Sequence, residues 1–247
     1  MTIPQSRTAI VTGAASGIGA ATVAELAARG YRVACVDRNG PGVHAIAAAA
    51  GAQHVAYELD VTDEARTVAV FAEAAKALGG LDALVTSAGV AEMTPFMELD
   101  AATFRRVYDH NVIGTFLSIR EAAKHMAPGG RICTVASVAG LRGGGLSGTA
   151  AYAASKGAVL ALTKNAARSL ADRGIAVNTI APGATMTPMI AHVFANDAHR
   201  QRVESMSVMN RAAKAEEIAR AIAFLVSPEA SYVDGATLVA DGGLCMY

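Results

Sequence analysis

Thr8-Ala9-Ile10-Val11-Thr12-Gly13-Ala14-Ala15-Ser16-Gly17-Ile18-Gly19 decides the architecture: a short β-branched apolar run passes straight into three spaced glycines, and a helical pattern starts at Ile18. A strand feeding a helix through such a loop lets backbone approach a dinucleotide pyrophosphate. Gly13 allows the turn, Gly17 the close approach, and Gly19 tight packing of helix on strand. Ser16 and Ile18 lie where the helix N-terminus offers free N–H groups and the positive end of its dipole. Asp37 strengthens this reading. It ends the next strand-like run, 18 residues after Gly19, near the spacing at which a carboxylate meets the adenosine ribose hydroxyls. A carboxylate there repels a 2′-phosphate, so NAD is favoured over NADP. Arg38 follows at once and offers a cation to such a phosphate, but Ala14, Ala15 and Ser16 supply no second one.

Outward from this loop, apolar runs alternate with longer Ala-rich stretches. The runs are Thr8–Thr12, Arg32–Val36, His54–Glu58, Asp82–Thr86, Arg131–Val135, Ile175–Ile180 and Ala236–Val239. Helical patterns cover Ile18–Arg29, Pro41–Ala50, Asp63–Leu78, Ala101–Met126, Ala151–Asp172, Met189–Ser205 and Ala215–Val226, with Asp63 and Asp100 as N-caps. Strict alternation of strands apolar on both faces with helices predicts an α/β fold: a doubly wound, seven-stranded parallel sheet covered on both sides. No repeat or low-complexity linker divides residues 1–247, which reads as one domain.

Composition narrows the function. With 53% hydrophobic residues the chain has the material for a full core, and the surplus of apolar surface is the kind that subunit interfaces bury. Lys plus Arg and Asp plus Glu both total 21, so no field gathers nucleic acid or an anionic membrane. The stretch from Gly174 to Asn196 lacks acidic and basic residues, yet Asn178, Pro182, Gly183, Pro188 and His192 interrupt it as a membrane span. No secretion signal is read at Met1 to Gln5, and the three cysteines Cys35, Cys133 and Cys245 suit a reducing cytosol; a cytoplasmic protein is expected. The six histidines are scattered without ligand spacing, so no metal is expected. Hydrolysis is disfavoured too: Ser137 lacks a nucleophile-elbow glycine pattern, and Cys133 sits inside a strand.

Tyr152 and Lys156, four apart, share one helix face. A phenol of pKa near 10 exchanges protons poorly at neutral pH. An ammonium about 4 Å away is worth roughly 4 kcal/mol at an effective dielectric of about 20, about three orders of magnitude in acidity. The pair can therefore make Tyr152 an acid/base.

With this pair added to the glycine loop, the sequence resembles the short-chain dehydrogenase/reductase family along essentially its whole length, to Asp241-Gly242-Gly243. The resemblance implies sheet order 3-2-1-4-5-6-7, Tyr152 as catalytic acid/base, and Lys156 holding the nicotinamide ribose. It also implies Ser137, in Val135-Ala136-Ser137-Val138-Ala139-Gly140, on the substrate oxygen, and Asn111, in His110-Asn111-Val112, at a local helix distortion ordering a relay water. Asp60 and Val61 resemble the adenine-contacting pair, and Ser87-Ala88-Gly89 the Asn-Ala-Gly motif beside the cofactor. Ser87 departs from that asparagine, so a bond steadying the sheet centre is lost or rebuilt around Ser87 and Thr86. Pro182-Gly183, with Thr185 and Thr187, resembles the segment along nicotinamide, Thr187 reaching the carboxamide and pyrophosphate. The expected activity is hydride transfer between NAD(H) and the CH–OH or C=O of a small alcohol, polyol or hydroxy compound. A carbonyl or 3-oxoacyl reductase and a non-catalytic NAD-sensing or scaffold protein are the alternatives. A homotetramer of D2 type is expected from the apolar helices Ala101–Met126 and Ala151–Asp172 and from the family.

Substrate choice is expected in Val90–Pro95, in Ala139–Thr149 with its glycine-rich tract, and in a lid over Thr187–Asn210 (about 187–210). Glu92, Met93, His192 and Phe194 are candidates to face a small polyhydroxylated or hydroxy-acid substrate or, equally, to be rim or core residues, with the substrate itself left open.

Overall fold

The computed structural model describes residues 6–144 and 150–246. Seven parallel strands form one sheet: β1 (Thr8–Thr12), β2 (Arg32–Asp37), β3 (Val55–Glu58), β4 (Leu81–Thr86), β5 (Met126–Val135), β6 (Ala176–Pro182) and β7 (Thr237–Ala240). Their order is β3-β2-β1-β4-β5-β6-β7, as the resemblance implied. The register is continuous at the centre, with Val11 beside Cys35 on one side and Val85 on the other.

Successive side chains of a strand point to opposite faces, and here each face has its own core. Ala9, Val11, Val33, Cys35, Val85 and Val135 pack under α1 (Gly17–Ala28), α2 (Gly40–Ala50) and the last long helix, through Val23, Leu26, Val43, Ile218 and Ile222. Ile10, Ala34, Val36, Leu84 and Ile132 point the other way, beneath α3 (Glu64–Leu78) and two later helices, through Phe71, Ala74, Ile119 and Ala166. At about 1.5–3 kcal/mol for each large side chain taken out of water, these two layers are the main source of stability. Because both strand faces are buried, the strand runs are continuous rather than alternating in hydropathy.

The N-caps expected at Asp63 and Asp100 accept from Arg66 N at 2.9 Å and Thr103 N at 2.6 Å. The single helix expected over Ala101–Met126 is instead α4 (Ala101–Tyr108), a π-helical turn Asp109–Ile113 and α5 (Gly114–His125), while Met126 begins β5. The Ala139–Thr149 segment, expected as a loop, begins within a short helix α6 (Val138–Arg142), and α7 follows over Ala150–Leu170. The helix expected over Met189–Ser205 is divided into a 3₁₀ turn Pro188–Ile190, α8 (Ala191–Phe194) and α9 (Asp197–Glu204). Asn196 breaks it by accepting from His199 N at 3.1 Å, which starts α9 afresh. Two short strands, Thr185–Met186 and Ala213–Lys214, pair and so pin both ends of the expected lid before α10 (Ala215–Leu225). Among the described residues no helix is long and apolar enough to cross a membrane.

Candidate active site

At the carboxyl end of β1 the chain turns at Gly13 with φ +71°, where a Cβ would lie 2.6 Å from Ala88 N and 2.7 Å from the Ser87 carbonyl carbon. Only glycine seats the loop this closely on Ser87-Ala88-Gly89. Ser87 N donates to Thr12 O at 3.1 Å and Ala88 N to Thr12 Oγ1 at 3.4 Å, so the join between β1 and β4 runs through Thr12. Thr86 does not rebuild it: among the described residues its buried hydroxyl has no partner. A Cβ on Gly19 would collide with the Gly13 carbonyl, so this glycine lies beneath the loop and packs α1 on it.

Ser16 is extended, and its hydroxyl makes no cap bond to α1. The helix ladder begins with Ala20 N donating to Ser16 O at 3.1 Å, which leaves the N–H groups of Gly17, Ile18 and Gly19 outside it. Across from Gly17 stands Thr187, whose Cγ2 would lie 3.2 Å from a Cβ placed there. Asp37 ends β2 with Oδ2 accepting from Ala15 N at 3.0 Å and Oδ1 from Asn39 N at 2.9 Å, so its carboxylate is fixed to the glycine loop. Arg38 is exposed beside it. Burial works to raise the Asp60 carboxyl, yet hydrogen bonds from Thr62 and the charges of His110 and Arg38 prevail and hold it below the usual carboxylate range.

The π turn places Asn111 in full burial. Its Oδ1 accepts from Val90 N at 2.8 Å, while its Nδ2 donates to Val90 O at 3.0 Å and Ser155 Oγ at 2.9 Å. It thus clamps the segment after Gly89 to α7 from behind the cavity. A Cβ on Gly89 would lie 3.0 Å from Asn111 Oδ1 and 3.5 Å from Lys156 Nζ, which shows how closely the three converge. Lys156 Nζ donates to Val135 O at 2.8 Å. Burial lowers this amine to about 8. Tyr152 is buried beside it, with Nζ 5.8 Å from the ring centroid.

Lys156 was expected to pull the Tyr152 phenol down. Among the protein's own groups, burial instead pushes it above its ordinary value, opposed by the neighbouring Ser137 hydroxyl. Desolvation penalises both the phenolate and the ammonium, so dry surroundings weaken the very charge that was to activate the phenol. Ser137 ends the β5 connection and caps α6, its Oγ accepting from Ala139 N at 3.1 Å. Burial pushes the Cys133 thiol up to about 12, so it stays protonated inside the sheet.

These elements border one cavity of about 320 Å³. Of the residues singled out by sequence, Gly13, Ser16, Gly17, Ile18, Asp37, Arg38, Asp60, Val61, Ser87, Ala88, Gly89, Ser137, Tyr152, Lys156, Pro182, Gly183, Thr185 and Thr187 all line it; Gly19 and Asn111 stand behind it. Gly183 packs so tightly on the last turn that a Cβ would lie 2.8 Å from Asp241 Cα, and the Thr185 hydroxyl is turned to Gly183 O at 3.1 Å. Arg142, from the Ala139–Thr149 segment, and Met189 and Met206, from Thr187–Asn210, also line the cavity, as do Leu59, His110 and Leu244, which were not foreseen. His110 directly precedes Asn111, and that adjacency was the signal for it; Leu244 arrives from a distant segment and carries none.

Glu92, Met93 and Phe194 are not among the lining residues. The Glu92 carboxylate accepts from Met93 N at 2.7 Å and Thr94 N at 2.6 Å and pairs with Arg106 at 3.3 Å, and Phe194 packs against Ile190 and Val203. The His192 side chain and the Gly145–Thr149 part of the glycine-rich tract lie outside the described residues.

A family profile described as enoyl-(acyl carrier protein) reductase matches residues 13–245. The chain is 42% identical over 243 residues to cis-4-hydroxycyclohexanecarboxylate dehydrogenase of Sinomonas cyclohexanicum, covering 96% of each. It is 38% identical over 242 residues to 2,5-dichloro-2,5-cyclohexadiene-1,4-diol dehydrogenase of Sphingobium indicum, again covering 96% of each. A crystal structure of a short chain dehydrogenase from Burkholderia cenocepacia, in complex with NADP, superposes with a TM-score of 0.90 at 33% identity, covering 97% of this chain and 98% of that one.

Proposed function

Because the chain belongs to the short-chain dehydrogenase/reductase family, we propose that it is an NAD-dependent oxidoreductase interconverting the CH–OH of a small alicyclic alcohol and the corresponding ketone. One observation carries the reading: a continuous cavity borders the Asp37 carboxylate and the glycine loop as well as Ser137, Tyr152 and Lys156. The residues present fit a dinucleotide. The uncapped start of α1 suits a pyrophosphate, and the fixed Asp37 carboxylate suits a ribose diol.

Bound nicotinamide supplies the hydride acceptor or donor. Tyr152 takes the hydroxyl proton in oxidation and returns it in reduction, so each turnover exchanges one proton at its Oη. Ser137 holds the same substrate oxygen. Lys156, its amine lowered to about 8 by burial, is the cation beside Tyr152, with Nζ 5.8 Å from the ring centroid. Because burial raises the Tyr152 phenol, alcohol oxidation, which needs the phenolate, is expected to rise toward alkaline pH, and ketone reduction to be favoured at lower pH. Asn111 fixes Val90 and α7, which sets the positions of Gly89 and Lys156.

The carboxylate of Asp37 supports NAD, since a 2′-phosphate beside it meets like charge. The exposed Arg38 and the NADP-bound neighbour support a second reading, a carbonyl reductase using NADPH. The segment Thr187–Asn210 serves as substrate lid on the one domain. Ile113 and Phe116, at 41% and 42% exposure, support assembly through the α4–α5 face into a homotetramer, which sedimentation would test. The deciding assay follows absorbance of reduced nicotinamide with NAD or NADP and a panel of cyclic alcohols and polyols. Turnover with NAD that falls 100-fold or more (roughly 10²–10⁴ for a lost acid/base) in Tyr152→Phe supports the proposal. Preference for NADP overturns the cofactor assignment, and unchanged turnover in Tyr152→Phe overturns the mechanism.

A further inference from the structure

The polar residues lining the cavity divide by task, with one left over. Asp37, Arg38, Asp60 and His110 gather at the ends of β2 and β3; Ser16 stands at the start of α1, where Thr187 lies across from Gly17; Ser87 and Thr185 follow β4 and β6; Ser137, Tyr152 and Lys156 carry the proton chemistry. The remaining one is Arg142. Its guanidinium makes no hydrogen bond or ion pair with any described residue. The carboxylate of the C-terminal turn, Asp241, is already engaged by Gly243 N at 2.9 Å and Cys245 N at 2.6 Å. Arg142 acts electrostatically on Cys245, which places it across the cavity mouth from the C-terminal turn that contributes Leu244. The walls from the lid and that turn are apolar: Met189, Ile190, Val203, Met206 and Leu244.

We infer that Arg142 selects the substrate, and that the substrate is a small apolar ring or chain bearing an anionic group, a carboxylate, opposite the reacting hydroxyl. A guanidinium with no partner among the described residues, beside these apolar walls, can bind a carboxylate through two parallel hydrogen bonds, geometry that an ammonium does not match. Spacing sets the size of the ligand. Ser137 caps α6 and Arg142 ends it, five residues along the helix, a rise on the order of 7 Å. That span suits a six-membered ring with its oxygen at Ser137 and its acid group near Arg142. The inference rests on the hydride-transfer reading for the assignment of Ser137 and Tyr152 to the reacting oxygen.

The test is calorimetric titration of the nicotinamide-dinucleotide-loaded protein with cyclohexanecarboxylate and with the neutral cyclohexanecarboxamide, for the unmodified chain, Arg142→Met and Arg142→Lys. Arg142 is exposed at a helix end, so these variants fold. The expected result is tighter binding of the carboxylate, a preference over the amide that falls about 10- to 100-fold in Arg142→Met and only partly in Arg142→Lys. Equal binding of the two ligands, equal loss of both in Arg142→Met, or no binding of either overturns the inference. Oxidation of neutral cyclohexanol by the unmodified chain is measured alongside. If it proceeds while the carboxylate preference is absent, the anion inference falls alone; if no alcohol or ketone turns over while the preference is present, the hydride-transfer reading falls alone.

Discussion

Replacing Lys156 with methionine removes a titrating amine from the interior while keeping its length and apolar stem. Burial lowers this amine to about 8 in the folded protein, against about 10.4 in an unfolded chain. Between those values the unfolded chain holds a proton that the native state has released, so stability rises with pH across the window. The difference of about 2.4 in pKa, at 1.36 kcal/mol each, amounts to roughly 3 kcal/mol. Below pH 8 the native protein bears this cost in full, and above pH 10.5 it bears none. The variant also loses the bond to Val135 O at 2.8 Å, but that loss is a constant offset. Urea unfolding of both proteins at pH 7, 8, 9 and 10 isolates the titrating part. The unmodified protein should gain on Lys156→Met by about 1 kcal/mol per pH unit between 8 and 10, and by only about 0.3 kcal/mol from 7 to 8. Parallel stability curves from pH 7 to 10 would refute the claim that burial holds the amine near neutrality.

Three further outcomes follow from the geometry. Asn111→Ala strands Val90 N and Val90 O and removes a donor from Ser155 Oγ, which keeps its bond to Tyr152 O, and should lower stability by about 2–4 kcal/mol, visible as a drop in Tm of roughly 4–16 °C in a calorimetric scan. Gly19→Ala drives a methyl into the Gly13 carbonyl, so circular dichroism should report unfolding at a Tm lowered by 10 °C or more, or no folded protein; a neutral effect would mean that the loop moves freely off α1. Asp37→Ala removes the charge facing the second ribose hydroxyl, and the ratio of kcat/KM for NAD over NADP should fall at least about tenfold; an unchanged ratio would reassign cofactor choice to Arg38.

The strands and the glycine loop were legible in sequence because their signals are local. Strands buried on both faces are unbroken β-branched runs, and Gly13, Gly17 and Gly19 are spaced by what one strand-to-helix turn demands. Tyr152 and Lys156 were legible for the same reason, since four residues on a helix fix a common face. Asn111 was found through the resemblance, and the π turn that buries it follows from no periodicity, because its bonds to Val90 and Ser155 join three separate segments. Glu92, which the sequence left open between substrate and rim, lies off the cavity lining, where the neighbouring Met93 and Thr94 N–H groups and Arg106 engage its carboxylate locally.

The sequence by itself determined the order of elements, the strand that carries the nucleotide loop, and the residue types at the proton-transfer step. Only the tertiary structure decided which groups share a dry environment. Burial is a property of everything packed around a side chain, and it raised the Tyr152 phenol where the neighbouring Lys156 alone argued for lowering it. It likewise brought Leu244, from a turn near the C-terminal end, and Met206, from the lid, to the mouth that Arg142 faces, a meeting of residues more than sixty positions apart that no local pattern encodes.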